Sequence, residues 1–187
     1  DQTFNAISID GDQSPSDSSI FASTSEKKSD IKKYQKKIKN NFIEVFRELA
    51  EKLVLDGEGA TKLIKIKVRG LSSYAASKKI ALKVANSPLV KTAAYGEDPN
   101  WGRIVTAAGN AGENEFEMKN LSLKIGEHKV LINGNLNPKY SEAKGKKEFR
   151  KKTINIEIKL GKSKKSALVM TSDLSPEYIS INSDYRS

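Results

Sequence analysis

The spacing of apolar residues predicts two helices in the first half of the chain. Over residues 30–53, apolar side chains recur at intervals of three and four positions, which places them on one face of a long amphipathic helix. These residues are Ile31, Tyr34, Ile38, Phe42, Val45, Leu49 and Leu53. Ser29 is the expected N-cap residue. A second helix is expected over about 72–86, where Ser87 and Pro88 stop it.

Alternation of apolar and polar residues predicts strands. Residues 63–69 read LIKIKVR and residues 153–160 read TINIEIKL, so every second side chain faces a core. Residues 121–132 contain LSLKI and KVLI around a turn, which is typical of a β-hairpin. SALVMTS, at 166–172, is expected to be a further strand, and TFNAISI, at 3–9, the first one.

The remaining segments have weaker patterns. Residues 89–110 are rich in Gly, Pro and small side chains, and we interpret them as a structured loop with one short helix. A closing helix is expected to begin at Ser175 and Pro176, a cap followed by a first-turn proline. The order strand, helix, strand, helix, strand-rich region and final helix indicates an α+β protein, with a boundary near residues 111–120.

Composition narrows the classes of function. The 187 residues are 37% hydrophobic and 30% charged, which is typical of a folded globular protein. The chain has no Cys, which excludes disulfide frameworks, thiolate zinc sites and a cysteine nucleophile. Its one histidine, His128, excludes a multi-histidine metal cage. No apolar run is long enough to predict a transmembrane helix.

The charge balance is basic, with 33 Lys and Arg against 23 Asp and Glu and a net charge of +10. Lysine-rich runs at 27–39, 144–152 and 162–165 could follow a phosphate backbone. However, they lie apart, contain few aromatic residues, and carry mostly Lys rather than the base-reading Arg. We therefore expect a solvated surface and no specific nucleic-acid binding, and a basic nucleic-acid-binding module is the less favoured alternative.

Two loops carry candidate chemistry. DGEGATK, at 56–62, lacks the Gly-Lys-Ser/Thr order of a phosphate-binding loop, but it presents Glu58 between two glycines. Taken alone, this segment fits a structural turn as well as a site. DGDQSPSD, at 10–17, lacks the central Gly and distal Glu of a calcium loop, so we expect no metal site.

Four motifs, in the same order and over nearly the whole chain, resemble one family. They are TFNAISIDGDQSPSD, LVLDGEGATK, SPLVKTAAYGEDPNWGRI and SDLSPEYISINSDYRS. They are similar to the β chain of the bifunctional ornithine/glutamate N-acetyltransferases of arginine biosynthesis. The first motif of that family usually reads DGDTSTND, whereas Gln13 and Pro15 replace its usual residues here. The family usually ends in Thr, whereas this chain ends in Ser187.

The resemblance implies a layered α/β/β/α sandwich similar to N-terminal-nucleophile hydrolases, with a smaller strand-rich C-terminal domain. It assigns 1–112 to the catalytic domain, 113–174 to the smaller domain, and 175–187 to a closing helix and tail that reach the active site. The family's precursor cleaves itself and frees a Thr at the start of the β chain. The nucleophilic Thr is therefore expected upstream of Asp1, and no catalytic residue is assigned in this chain.

The implied reaction transfers acetyl from N2-acetylornithine to glutamate through an acetyl-threonine intermediate. A terminal Thr suits this chemistry because its free α-amine is a base beside its hydroxyl. By the resemblance, the substrate-binding residues are Glu58, Asn182 and Ser187. A carboxylate suits an ammonium group, and an amide or hydroxyl suits an α-carboxylate. Which contact each residue makes stays open.

The resemblance also implies a partner, an α chain from the same precursor, in an α2β2 heterotetramer with a cytoplasmic location. No cofactor is expected, and the use of acetyl-CoA as a second acetyl donor stays open. The alternative enzyme is a related N-terminal-nucleophile aminopeptidase or amidase, which would transfer the acyl group to water.

Overall fold

The computed structural model describes residues 2–14, 17–24 and 31–184, which form an α+β layered fold around a seven-stranded sheet. The strands are β1 Ile7–Ser8, β2 Leu63–Arg69, β3 Ser122–Ile125, β4 His128–Ile132, β5 Asn135–Leu136, β6 Thr153–Lys159 and β7 Ser166–Ser172. The helices are α1 Ile31–Leu55, α2 Tyr74–Ala85, α3 Pro88–Tyr95, α4 Trp101–Gly109, α5 Glu142–Phe149 and α6 Pro176–Asp184. The α+β class predicted from the order of elements is confirmed.

The sheet is mixed, with the strand order β1-β7-β2-β6-β3-β4-β5. β1 runs parallel to β7 and β2 runs parallel to β6, whereas β7 and β2 are antiparallel. The ends of β1 and β7 therefore lie at the same edge of the sheet as the starts of β2 and β6. Strands from both sides of residue 112 pair in this one sheet, and the division into 1–112, 113–174 and 175–187 stays a prediction.

The predicted alternation in β2 and β6 is confirmed, and it builds the main core. Ile64 pairs with Ile154 and Ile66 pairs with Ile156 across the two strands, and all four side chains are buried. They face α2 and α4, whose small residues let the helices approach closely, and they form one apolar cluster with these helices. The side chain of Lys67, which follows Ile66 in β2, points to the opposite face and is exposed.

The long helix α1 is confirmed, but the face it turns toward the sheet is not the predicted apolar stripe. Ala50 and Val54 are buried and pack against Leu63 and Met170, on the face of the sheet opposite to α2. The stripe itself remains open to solvent at Phe42, Val45, Leu49 and Leu53. The predicted cap, Ser29, lies outside the described residues.

The interpretation of residues 89–110 as a loop with one short helix is wrong, because two helices occupy this segment. Ser87 caps α3 by accepting a hydrogen bond from the backbone N–H of Val90, and Pro88 is its first residue. Asn100 caps α4 in the same way through the N–H of Arg103. These side-chain caps define helices of only 8 and 9 residues, too short to show a clear apolar period.

One further expectation is corrected by local hydrogen bonding. The first predicted strand, 3–9, begins instead with a 3₁₀ turn at Phe4–Ala6, which a hydrogen bond from Ala6 N–H to the Thr3 carbonyl closes, and only Ile7–Ser8 pair in the sheet. The polar, lysine-rich region after β5, for which the sequence analysis names no element, contains α5. The hairpin of β3 and β4, the strand β7 and the closing helix α6 are confirmed.

Candidate active site at the sheet edge

The turn Gly57–Gly59 connects α1 to β2 and presents Glu58 at the sheet edge. Gly59 has a φ of +64°, and a Cβ atom placed on it would lie 2.5 Å from the backbone nitrogen of Tyr178. The turn therefore needs glycine both for its backbone conformation and for the close approach of α6. The predicted exposure of the Glu58 side chain beside small neighbours is confirmed.

Asp173, the residue after β7, anchors the end of this turn. Its buried carboxylate accepts hydrogen bonds from Thr61 N–H at 2.8 Å, from the Thr61 hydroxyl at 2.5 Å and from Lys62 N–H at 2.9 Å. Several donors on one carboxylate make a rigid and charge-assisted connection. The position of Glu58 is thus tied to the end of β7, which lies more than a hundred residues further along the chain.

The closing helix α6 is fixed against the same turn. The Ser175 hydroxyl donates to the Gly59 carbonyl at 2.7 Å and accepts from Tyr178 N–H at 3.3 Å, so the predicted cap residue also joins the two segments. The Tyr178 hydroxyl then donates to Asp10 at 2.9 Å. Helix α6 consequently connects the Glu58 turn to the loop that follows β1.

These connections bring two of the three predicted site residues into direct contact. The side-chain amide of Asn182 donates to Glu58 Oε2 at 2.6 Å and to the Tyr178 carbonyl at 2.9 Å. Both amide hydrogens are used, so Asn182 presents its carbonyl oxygen as an acceptor. Both side chains are exposed. Ser187, the third predicted residue, lies outside the described residues.

The site is acidic. The pKa of Tyr178 is raised to about 12, first by burial, then by its hydrogen bond to Asp10 and by the negative charges of Asp10, Glu58 and Asp12. The tyrosine therefore stays protonated and remains a hydrogen-bond donor at neutral pH. The carboxylates around it form a local negative field on a chain whose net charge is +10, and such a field attracts an ammonium group.

Sequence reasoning missed three residues that assemble this site, namely Asp10, Asp173 and Tyr178. Asp10 belongs to a loop that the sequence analysis tested only as a calcium site and rejected. Asp173 and Tyr178 flank Ser175, the predicted start of the closing helix. The acidic character of positions 10 and 173, each directly after a predicted strand, was a usable signal. No spacing rule indicates that their partners lie at Tyr178 and Thr61.

Substituting Gly59 by Ala is expected to displace α6 and lower the stability of the protein. The strain at positive φ and the clash with the Tyr178 nitrogen together are expected to cost about 1–3 kcal/mol, or roughly 3–10 °C in Tm. Gly112→Ala is the matched control, because Gly112 has a φ of +62° but open space around it. Equal losses of Tm in both variants would show that the approach of α6 does not constrain Gly59.

The fold and the edge site together define a layered α+β protein in which a glutamate turn and a closing helix form one polar site. The chain belongs to the ArgJ family, whose model matches residues 1–187. It is 43% identical over 195 residues to "Arginine biosynthesis bifunctional protein ArgJ" of Bradyrhizobium diazoefficiens, covering 100% of this chain and 47% of that protein. The protein of the same name from Agrobacterium fabrum is 40% identical, with 99% and 46% covered.

A solved structure has the same fold. The crystal structure of arginine biosynthesis bifunctional protein argJ from Bacillus halodurans matches with a TM-score of 0.89 and 29% identity, covering 98% of this chain and 87% of that one. The resemblance inferred from the four motifs is thereby confirmed. The chain spans about half the length of the curated relatives it matches. In the part of the chain that the structure describes, no helix is both long and apolar enough to cross a membrane.

Proposed function

We propose that this chain is the β chain of a glutamate N-acetyltransferase that moves acetyl from N2-acetylornithine to glutamate. In the first half-reaction, the hydroxyl of an upstream terminal Thr attacks the acetyl carbonyl. The C–N bond to ornithine breaks, ornithine takes up a proton as it leaves, and acetyl-threonine forms. In the second, the glutamate amine attacks this ester, and the threonine hydroxyl is released. Each step conserves the acetyl group and requires no redox reagent.

The contact between Glu58 and Asn182 is the observation that carries this proposal. Two exposed polar side chains from segments 124 residues apart meet at 2.6 Å, in an acidic setting beside Asp10. An acidic site that also offers the Asn182 carbonyl oxygen suits the ammonium group of an amino-acid substrate. Ser187 is proposed as a further substrate contact, through its hydroxyl.

The proposed partner is an α chain supplied by the other half of the precursor, in an α2β2 heterotetramer. The apolar stripe of α1 supports a partner, because Val45, Leu49 and Leu53 are 52%, 43% and 52% exposed along one helix face. The rings of Phe42 and Phe46 stack at 5.8 Å at the start of this surface. A contiguous apolar face of this kind is typical of an interaction surface. We propose that the α chain covers it.

The location proposed for this biosynthetic enzyme is the cytoplasm. We also propose that it needs no resident cofactor. Acetyl-CoA is proposed only as an alternative acetyl donor. An assay with acetyl-CoA in place of acetylornithine tests whether the enzyme accepts it. Product analysis with and without glutamate separates a transferase, which forms acetylglutamate, from an amidase, which releases acetate.

Glu58→Gln in the full-length enzyme is expected to lower kcat/KM for acetylornithine by about ten- to a hundredfold. A charge-assisted hydrogen bond to the substrate ammonium becomes a neutral one of about half the strength. Glu127→Gln is the control, because Glu127 is an exposed carboxylate in the turn between β3 and β4, paired with Lys124. If the folded Glu58→Gln enzyme has unchanged kinetics, Glu58 serves only as part of the turn and does not bind the substrate.

A further inference from the structure

Helix α3 carries a lysine whose side chain points into the protein. Lys91 is 3% exposed and belongs to a segment, PLVKTAAY, in which its neighbours Val90 and Ala94 are buried too. A charged side chain in such a place is rare unless it is fully hydrogen-bonded. The proposed acetyl-transfer steps do not use it.

The Lys91 ammonium group makes three short hydrogen bonds to two different strand ends. It donates to the Ile9 carbonyl at 2.6 Å, to the Thr171 hydroxyl at 2.9 Å and to the Ser172 carbonyl at 2.6 Å. An ammonium has three hydrogens, so these contacts use its full capacity. Lys91 therefore ties the chain leaving β1 to the chain leaving β7. Its own carbonyl accepts from Leu174 N–H at 3.3 Å, which adds the approach to α6.

Each segment that Lys91 holds leads directly to the candidate site. The residue after Ile9 is Asp10, which accepts from Tyr178 of α6. The residue after Ser172 is Asp173, which fixes the end of the Glu58 turn through Thr61. Lys91 thus holds the two residues that directly precede Asp10 and Asp173. The hydrogen bonds of those two carboxylates place Glu58 and Asn182 side by side.

The electrostatic surroundings agree with this geometry. Burial lowers the pKa of Lys91 to about 8, while the negative charges of Asp173 and Asp10 act in the opposite direction. These two carboxylates are the residues that carry the connections to the Glu58 turn and to α6. The positive charge of Lys91 therefore lies near Asp10 and Asp173, the same two carboxylates that its hydrogen bonds help to place.

We propose that Lys91 is a positioning residue of the candidate site: it joins the ends of β1 and β7 and so sets the places of Asp10, Asp173 and the Glu58–Asn182 pair. Lys91 does not touch the substrate. Its kinetic effect rests on the proposed function, whereas its effect on local structure does not.

The structural test measures amide hydrogen exchange in the full-length protein with Lys91→Met. Exchange is expected to be about tenfold faster at residues 10–12, 58–62 and 174–182, and unchanged in the hairpin 122–132. Lys83→Met, an exposed lysine on α2, is the matched control. Equal acceleration throughout the chain, or none at the site, would overturn the proposal.

The kinetic test compares KM with kcat. Lys91→Met is expected to raise KM for acetylornithine about tenfold and to change kcat by less than about threefold, because misplaced binding groups weaken ground-state and transition-state binding alike. In a Glu58→Gln background the same substitution is expected to add little, since its effect passes through Glu58. Additive effects, or a fall in kcat alone, would refute positioning.

A milder variant covers the case in which Lys91→Met does not fold. Thr171→Val preserves shape and removes one acceptor of Lys91, so it is expected to accelerate exchange in the same segments by a smaller factor. Unchanged exchange in this variant would count against the proposal. If the unmodified full-length protein shows no acetyl transfer, the proposed function fails, and the exchange experiments still decide the role of Lys91.

Discussion

The 187-residue chain, expressed alone, is expected to show no acetylornithine:glutamate transfer. A fragment expressed with Asp1 as its first residue has no Thr whose hydroxyl lies beside its own free α-amine, and the proposed binding groups Glu58 and Asn182 cannot form an acetyl intermediate. Loss of a covalent nucleophile costs about 10⁴-fold or more in rate. Acetylglutamate formation, followed with isotopically labelled acetylornithine, measures the effect.

Two controls make this result interpretable. A cooperative thermal transition would show that the fragment folds, as expected from a sheet formed wholly within the described residues. Full-length protein, prepared in parallel, is expected to self-cleave and to transfer acetyl. Transfer by the fragment above the buffer background would contradict the assignment of the nucleophile to the upstream segment.

Elements with a strong repeating pattern were predictable from the sequence. The alternation of Ile64, Ile66 and Val68 required a strand with one buried face, and β2 has the predicted bounds, 63–69. The three- and four-residue spacing located α1 within two residues at its C-terminal end. Periodicity did not show which face of α1 packs on the sheet, because that depends on how β2 and the distant strand β7 place Leu63 and Met170.

Segments whose structure depends on single side-chain contacts were not predictable. The boundary between α3 and α4 follows from the caps at Ser87 and Asn100, and Ala-rich stretches of this length fit a loop or a helix equally well. The two-residue strand β1 exists because Ile7 and Ser8 pair with β7, at the other end of the chain. Such pairing is decided by tertiary structure rather than by local propensity.

For the candidate site, the resemblance supplied the residues and the structure supplied their connections. The motifs pointed to Glu58 and Asn182, but only the folded chain shows that they share a hydrogen bond. The supporting groups, Asp173 and Lys91, are buried and polar, and they act through contacts that are 80 or more residues apart in sequence. Local patterns carry no information on such pairs, although a lysine inside an otherwise buried helix face is a recognisable anomaly.

Removal of residues 182–187 from the full-length enzyme is expected to lower kcat/KM for acetylornithine by about a hundredfold or more. The truncation removes the Asn182 carbonyl oxygen that is proposed to accept from the substrate ammonium, together with the proposed contact of Ser187. Hydrogen bonds to charged groups contribute about 1.5–3 kcal/mol each, so two of them account for a loss of this size. Because α6 has no buried residue, Tm is expected to change little.

Asn182→Asp separates the contribution of the amide from that of the tail. The substitution keeps the shape of the side chain but places a second carboxylate where the Asn182 amide now lies 2.6 Å from Glu58, so the two groups repel and KM rises. Ile179→Ala, at a side chain 62% exposed on the same helix, is expected to leave the kinetics unchanged. A truncated enzyme that self-cleaves, melts normally and retains its kcat/KM would remove both Asn182 and Ser187 from the substrate site.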